Sequence, residues 1–284
     1  MTSFTAACIQ LRSGKDPKAN CRAAEELIRM AAKQGAHYIQ TPEMSNVLVR
    51  SREDLLERIF DPSADPFLSM ARSVASDEGV FLHLGSLAVL NQSGKVSNRA
   101  FMIGPNGSIL ATYDKIHMFD VDLPNGESWR ESATYEPGRE TVIADLPFAR
   151  FGMAICYDVR FPAIFRTQAR NGAEVLTGPA AFTRQTGEAH WHVLQRARAI
   201  ENGAYIISAA QGGLHEDGRE TYGHSLVVDP WGGVHAELEN DEPGYILAEI
   251  EIETVSKARG RIPAIANERA FDCHVAEGLK EIPA

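Results

Sequence analysis

Residues 151–162 read Phe151-Gly152-Met153-Ala154-Ile155-Cys156-Tyr157-Asp158-Val159-Arg160-Phe161-Pro162. An apolar run leads into Cys156, and polar residues and a proline follow at once, so the stretch reads as a buried strand passing into a helix. A cysteine at such a junction can expose its sulfur while its backbone is held rigidly, as a nucleophile must be mounted. Free cysteine is also among the most buried residue types, so a packing thiol fits the same residues. The rest of the chain decides between the two.

Upstream, Phe4 to Leu11 reads as a short strand. Asp16-Pro17 supplies an N-cap and a first-turn proline, and Ala23, Leu27, Ile28 and Ala31 form a helical stripe that closes at Gly35. His37 to Thr41 is a second strand, which makes a β-α-β unit and favours parallel pairing. Helical segments over Arg52–Phe60 and Pro66–Glu78 follow. Extended segments over 80–90, 96–104 and 108–113, broken by strong turn signals, then predict an antiparallel meander. Beyond Pro162 the alternation resumes, with helices over 161–171 and 188–202, strands over 173–178 and 204–209, and a last group over 224–229, 233–238 and 244–250. The fold class is therefore α/β. Without an internal repeat or linker, residues 1–284 read as a single domain, with 261–284 an uneven C-terminal arm packed on the body or on a partner subunit.

A formal charge of −10 over 284 residues argues against a nucleic-acid or anionic-membrane surface. No apolar run has the length to span a bilayer, and the N-terminus opens on strand-like sequence instead of a signal segment, so a cytoplasmic protein is expected. The cysteines at 8, 21, 156 and 273 have no paired spacing for disulfides or zinc. His190 and His192 face different sides of their helix, which argues against a metal pair. Neither a metal nor another cofactor is expected.

Three polar residues stand at predicted strand ends: Glu43 in Thr41-Pro42-Glu43-Met44, Lys115 after the meander, and Cys156. In open α/β sheets the strand carboxyl ends line the ligand crevice. Taken singly, the glutamate and the lysine read equally as solvated charges. Together they supply what amide cleavage through a cysteine needs: a thiol, a group that takes and returns a proton, and a cation for the oxyanion, with the Tyr157 backbone N–H as a second donor. A glutamate serves as base if burial or a neighbour lifts its pKa toward neutrality. A second carboxylate would help and would also hold Lys115. The long polar stretch Met118 to Arg139 offers Glu127, Glu131 and Glu136 for that place.

Thr41-Pro42-Glu43, Tyr113-Asp114-Lys115-Ile116-His117-Met118-Phe119-Asp120 and Cys156-Tyr157-Asp158-Val159-Arg160-Phe161-Pro162, in this order, resemble the signature segments of the nitrilase superfamily of carbon-nitrogen hydrolases. The resemblance runs from about Phe4 to Phe271. It implies a four-layer α-β-β-α sandwich, commonly doubled by dimerisation through the helices beside the nucleophile, so a homodimer or higher homo-oligomer is expected. It implies Cys156 as nucleophile, Glu43 as general base and acid, Lys115 as oxyanion stabiliser and Glu131 as the second glutamate, with no cofactor.

Residues 187–201 and Tyr222-Gly223-His224-Ser225 with the following Val-Val-Asp-Pro-Trp231 resemble the branch that holds deaminated-glutathione amidase and omega-amidase. The resemblance implies cleavage of deaminated glutathione to 2-oxoglutarate and cysteinylglycine. The alternatives are an omega-amidase acting on 2-oxoglutaramate, a carbamoylase or true nitrilase, and a scaffold that keeps the fold without turnover. A carboxylate-bearing acyl group needs cationic or N–H partners. Arg99, Arg160, Thr183 and Arg184 are the candidates, with Arg160 able instead to pair with Asp158.

Overall fold

A computed structural model describes residues 3–91, 93–123, 126 and 128–276. In chain order the strands are β1 (Ser3–Gln10), β2 (Tyr38–Gln40), β3 (Phe81–Leu90), β4 (Val96–Ile103), β5 (Ile109–Asp114), β6 (Asp120–Asp122), β7 (Ser128–Arg130) and β8 (Val142–Leu146). They continue as β9 (Ala149–Met153), β10 (Val175–Thr177), β11 (Tyr205–Ser208), β12 (Gly212–Leu214), β13 (Glu220–Tyr222), β14 (Leu226–Val228), β15 (Val234–Glu237) and β16 (Gly244–Glu251). The helices are α1 (Pro17–Lys33), α2 (Arg52–Leu56), α3 (Pro66–Glu78), α4 (Pro162–Arg170), α5 (Arg184–Asn202) and α6 (Glu253–Arg261).

Two six-stranded sheets carry the fold, in the orders β16-β1-β2-β3-β4-β5 and β15-β14-β11-β10-β9-β8. Strands β1, β2 and β3 run parallel, as do β9, β10 and β11, and the flanking pairs are antiparallel. Helices α1 and α3 cover the first sheet and α4 and α5 the second, giving the α-β-β-α sandwich. Side-chain alternation along β1 explains the layering. Phe4, Ala6 and Cys8 enter the core between the sheets, while Ala7 and Ile9 face the α1–α3 layer. Across the inter-sheet core Phe4 meets Phe148 at 4.3 Å and Tyr38 stacks on Phe151 at 4.6 Å.

The local signals act as their chemistry dictates. Asp16 caps α1 by accepting from the Lys18 N–H at 2.9 Å, and Asp65 caps α3 through Leu68 at 2.8 Å. Helix α5 begins at Arg184, four residues before the sequence expectation of Glu188: Gly187, which reads as a loop residue, is buried within the helix with Thr186, at a place where a Cβ would stand 2.2 Å from Tyr222. Helix α6 and the ribbon β12-β13 were not expected from periodicity, being short and mostly polar. The C-terminal arm reaches its own body: Glu268 lies 3.9 Å from Arg166 and 3.8 Å from Arg170. Its residues 277–284 lie outside the described ones. Among the described residues no helix is long and apolar enough to cross a membrane.

Candidate active site

Glu43, Lys115 and Cys156 follow the carboxyl ends of β2, β5 and β9, and the sandwich brings these ends together at one cavity. Each is mounted on constrained backbone. After Glu43 the chain turns left-handed, with Met44 at φ 56°, and the Met44 N–H donates to Ser86 Oγ at 3.0 Å. Gln211 Nε2 donates to the Glu43 carbonyl at 3.0 Å. Gly85 of β3 permits this packing, since a Cβ there would stand 2.0 Å from the Thr41 carbonyl oxygen. Lys115 is pinned by its N–H to the Asn98 carbonyl at 3.0 Å and by its carbonyl to the Gly138 N–H at 2.8 Å.

Cys156 opens the one-turn 3-10 segment Cys156–Arg160 at φ 47°, a left-handed conformation costing an L residue about 1–2 kcal/mol. Asp158 braces this turn. Its buried carboxylate accepts from the Ile155 N–H at 2.9 Å, Tyr113 Oη–H at 2.6 Å and the His117 N–H at 3.0 Å, and lies 2.7 Å from His117 Nδ1. Arg160 is not among its partners. The alternative of an Asp158–Arg160 pair is therefore replaced: Arg160 lies over the Phe182 ring at 5.3 Å and lines the cavity.

Lys115 Nζ donates to Glu43 Oε1 at 2.9 Å and to both oxygens of Glu131, at 2.9 and 2.8 Å. Asn98 Nδ2 joins the same cluster, at 2.9 Å from Glu43 and 3.2 Å from Glu131. The Ala181 N–H donates to Glu43 Oε2 at 2.9 Å, and the Phe119 N–H to Glu131 Oε2 at 2.7 Å. Of the other loop glutamates, Glu136 binds Asn91 at 2.7 Å, away from Lys115, and Glu127 lies outside the described residues.

The electrostatics differ from the expectation of a base lifted toward neutrality. Burial pushes the Glu43 pKa up, but the Lys115 ammonium and hydrogen bonds from Lys115, Cys156 and Asn98 outweigh it, leaving Glu43 below its ordinary value. Burial and the Glu43 charge push the Cys156 thiol well above its ordinary value, with Lys115 and the Ala181 N–H only partly offsetting them. Lys115 is raised well above its own ordinary value: burial opposes its charge, and Glu131 and Glu43 overcome that opposition. The resting arrangement is a buried thiol facing a carboxylate, beside an ammonium held by two carboxylates.

The cavity has a volume of about 290 Å³. Besides the central residues it is lined by Tyr157, Arg160 and Thr183 from the sequence candidates. Arg99 and Arg184 are not in the lining. Arg99 forms a bidentate pair with Asp114 at 2.7 and 2.8 Å, and Arg184 is taken by Glu188 and Glu220. Their place as substrate-binding candidates passes to Arg50, Arg130 and Arg219, which the sequence reading missed. Asn98 was also missed, although an asparagine inside a strand, where that residue is depleted, was an available signal. His190 meets Arg160 at 3.3 Å and His192 meets Glu237 at 2.6 Å, so the two histidines serve separate contacts.

Comparison with known proteins gives the same frame. The family model described as carbon-nitrogen hydrolase matches residues 5–260. A Synechocystis protein named deaminated glutathione amidase is 39% identical over 93% of this chain and 98% of its own length. The mouse omega-amidase NIT2 is 34% identical over 99% of this chain and all of its own. Among solved structures, the C. elegans NitFhit protein superposes with a TM-score of 0.88 at 33% identity, over 95% of this chain and 66% of that one. An amidase from Nesterenkonia with the acetamide moiety of fluoroacetamide on its active-site cysteine superposes at 0.78, with 25% identity over 94% of each chain.

Proposed function

This chain belongs to the carbon-nitrogen hydrolase family and is an amidase, and from that premise we propose that Cys156, Glu43, Lys115 and Glu131 hydrolyse a small-molecule amide through a thioester. The observation that carries this reading is the position of Glu43. One of its oxygens accepts from Lys115 and Asn98, the other from the Ala181 N–H, and the carboxylate lines the same cavity as the Cys156 thiol, whose pKa its charge raises.

The Cys156 sulfur attacks the amide carbon and its proton passes to Glu43. The transfer from a raised thiol to a lowered carboxylate is uphill in isolation, so it accompanies carbon–sulfur bond formation as charge moves to the carbonyl oxygen. Lys115 Nζ and the Tyr157 N–H stabilise that oxyanion. Its collapse breaks the carbon–nitrogen bond, and Glu43 returns the proton to the departing amine. A water then gives a proton to Glu43 and adds to the thioester. The second oxyanion collapses, the acid leaves, and the sulfur recovers the proton from Glu43.

The substrate is deaminated glutathione, cleaved to 2-oxoglutarate and cysteinylglycine, the reading supported by the relative with 39% identity. Arg160 and Thr183 in the lining provide a cation and a hydroxyl for the carboxylate end of the acyl group. The likeness to omega-amidase favours 2-oxoglutaramate as the second reading, since both amides give the same acyl thioester. The assay is kcat/KM for the two amides side by side. A clear preference for deaminated glutathione is expected, and equal or better use of 2-oxoglutaramate transfers the assignment to omega-amidase.

The chain works as one cytoplasmic hydrolase domain in a homodimer. Exposed Val193 and Ile200 on α5, and exposed Trp231 in the turn whose Gly232 carbonyl accepts from Arg196 Nε at 2.7 Å, support an α5-centred interface.

A further inference from the structure

The lining carries a cationic stack that the hydrolysis itself does not use. Trp129, on β7, has the guanidinium carbon of Arg219 4.5 Å from its ring centroid and that of Arg50 at 4.7 Å. All three line the cavity that holds Cys156. Arg219 is largely buried, and among the described residues its Nε finds no hydrogen-bond partner. Trp129 Nε1 is a second buried donor without one. The carboxylate beside Arg219 is Asp217, whose Oδ2 lies 3.3 Å from Nη2 but outside hydrogen-bond geometry. The other acceptor near it is the Val49 carbonyl at 3.5 Å, a long contact.

A buried donor left without an acceptor costs free energy, and a guanidinium fork over an indole suits a planar anion. The stack is separate from Arg160, which is held against Tyr157 and Phe182. Besides Lys115 at the centre, the cavity thus has guanidinium groups both at Arg160 and around Trp129. A substrate with a carboxylate on each side of its scissile amide would use both, whereas release of ammonia would leave the Trp129 side without a partner.

We infer that Arg219, with Trp129 and Arg50, forms the subsite for the carboxylate of an anionic, peptide-like leaving group and sets the preference for such amides over primary amides. This rests on the proposed amidase reading and names the amine half of its substrate. Arg219 is a specificity residue: it grips the part of the substrate that leaves, away from the reacting carbon.

The test compares deaminated glutathione with its C-terminal carboxamide, on the parent protein and on Arg219→Gln. Amidation is expected to lower kcat/KM of the parent about ten- to a hundredfold, the usual weight of a charge-assisted hydrogen bond, and Arg219→Gln should lose that acid-over-amide preference. A parent that uses both equally, or a variant that keeps the preference, overturns the subsite. Calorimetry with cysteinylglycine supplies a readout independent of turnover, with binding expected to the parent and lost in Arg219→Gln. If the parent hydrolyses neither compound yet binds cysteinylglycine through Arg219, the proposed substrate falls and the subsite stands. Hydrolysis with no dependence on Arg219 sinks the subsite alone, and absence of both hydrolysis and binding sinks the two together.

Discussion

Lys115 is held by Glu131 in a two-pronged contact, its Nζ donating to both carboxylate oxygens at 2.9 and 2.8 Å, while a single oxygen of Glu43 receives it on the other side. The pairing is unequal in function as well. In the reaction proposed above Glu43 changes protonation, so the charge that keeps Lys115 positioned has to come from a carboxylate that does not. Glu131→Gln keeps the shape and removes that charge. A drop in kcat of about ten- to a hundredfold is expected, with a loss of about 1–3 kcal/mol in urea unfolding, because a buried ammonium loses a partner. Glu136→Gln, in the same loop but bound to Asn91 and Lys95 at the surface, should leave both close to the parent. Equal behaviour of the two variants would remove Glu131 from the mechanism.

The opposed shifts of Glu43 and Cys156 fix the pH profile. In the proposed mechanism Glu43 acts as base while ionised, and its folded pKa lies below the ordinary 4.5, so kcat/KM should hold down to about pH 4.5 and fall only beneath it. The stability this lowered pKa contributes has the same sign: it is present above the unfolded value and is lost as pH falls through the folded one. On the alkaline side, iodoacetamide should alkylate Cys156 slowly through pH 9, since the thiol sits well above its ordinary 9.0. Asn98→Leu removes one donor from Glu43 and should move the acid limb upward. An acid limb near neutrality in the parent would show that a different group acts as base.

Much of this site was legible because its three anchors are tied to sequence punctuation. Glu43 follows a proline, Lys115 ends a meander bounded by turn residues, and Cys156 precedes a helix marked by Pro162. What the sequence hid falls into two kinds. Arg99 and Arg184 have the right charge for a carboxylate, but partners distant in the chain or across a turn consume it: Asp114 opposite on β5, and Glu220 on β13. The sign of the Glu43 shift was hidden for a related reason. Burial and the neighbouring ammonium act in opposite directions, and which one wins depends on distances of about 3 Å that spacing along the chain does not specify. Backbone donors such as the Ala181 N–H leave no mark on residue type at all.

Asp158 offers the sharpest test of how the nucleophile is presented. Its carboxylate gathers the Ile155 N–H, the Tyr113 hydroxyl and the His117 main chain and ring, and that ring is clamped by Phe161 at 3.6 Å and 8° between planes. These bonds hold the turn in which Cys156 keeps a positive φ. Asp158→Asn turns an acceptor into a donor facing other donors, at a cost of about 1–3 kcal/mol, similar to the left-handed penalty it helps to offset. The variant should lose kcat more than it raises KM, since the sulfur moves while the cavity walls stay. Glycine adopts positive φ at little cost, so the stability penalty of Asp158→Asn should shrink in a Cys156→Gly background, with a coupling of about 0.5 kcal/mol or more. Urea unfolding of the parent, the two single variants and the double variant measures it. Strict additivity would mean that Asp158 stabilises the fold without bracing the elbow, and Cys156 would then owe its conformation to the Pro179 carbonyl, which accepts its N–H at 2.9 Å.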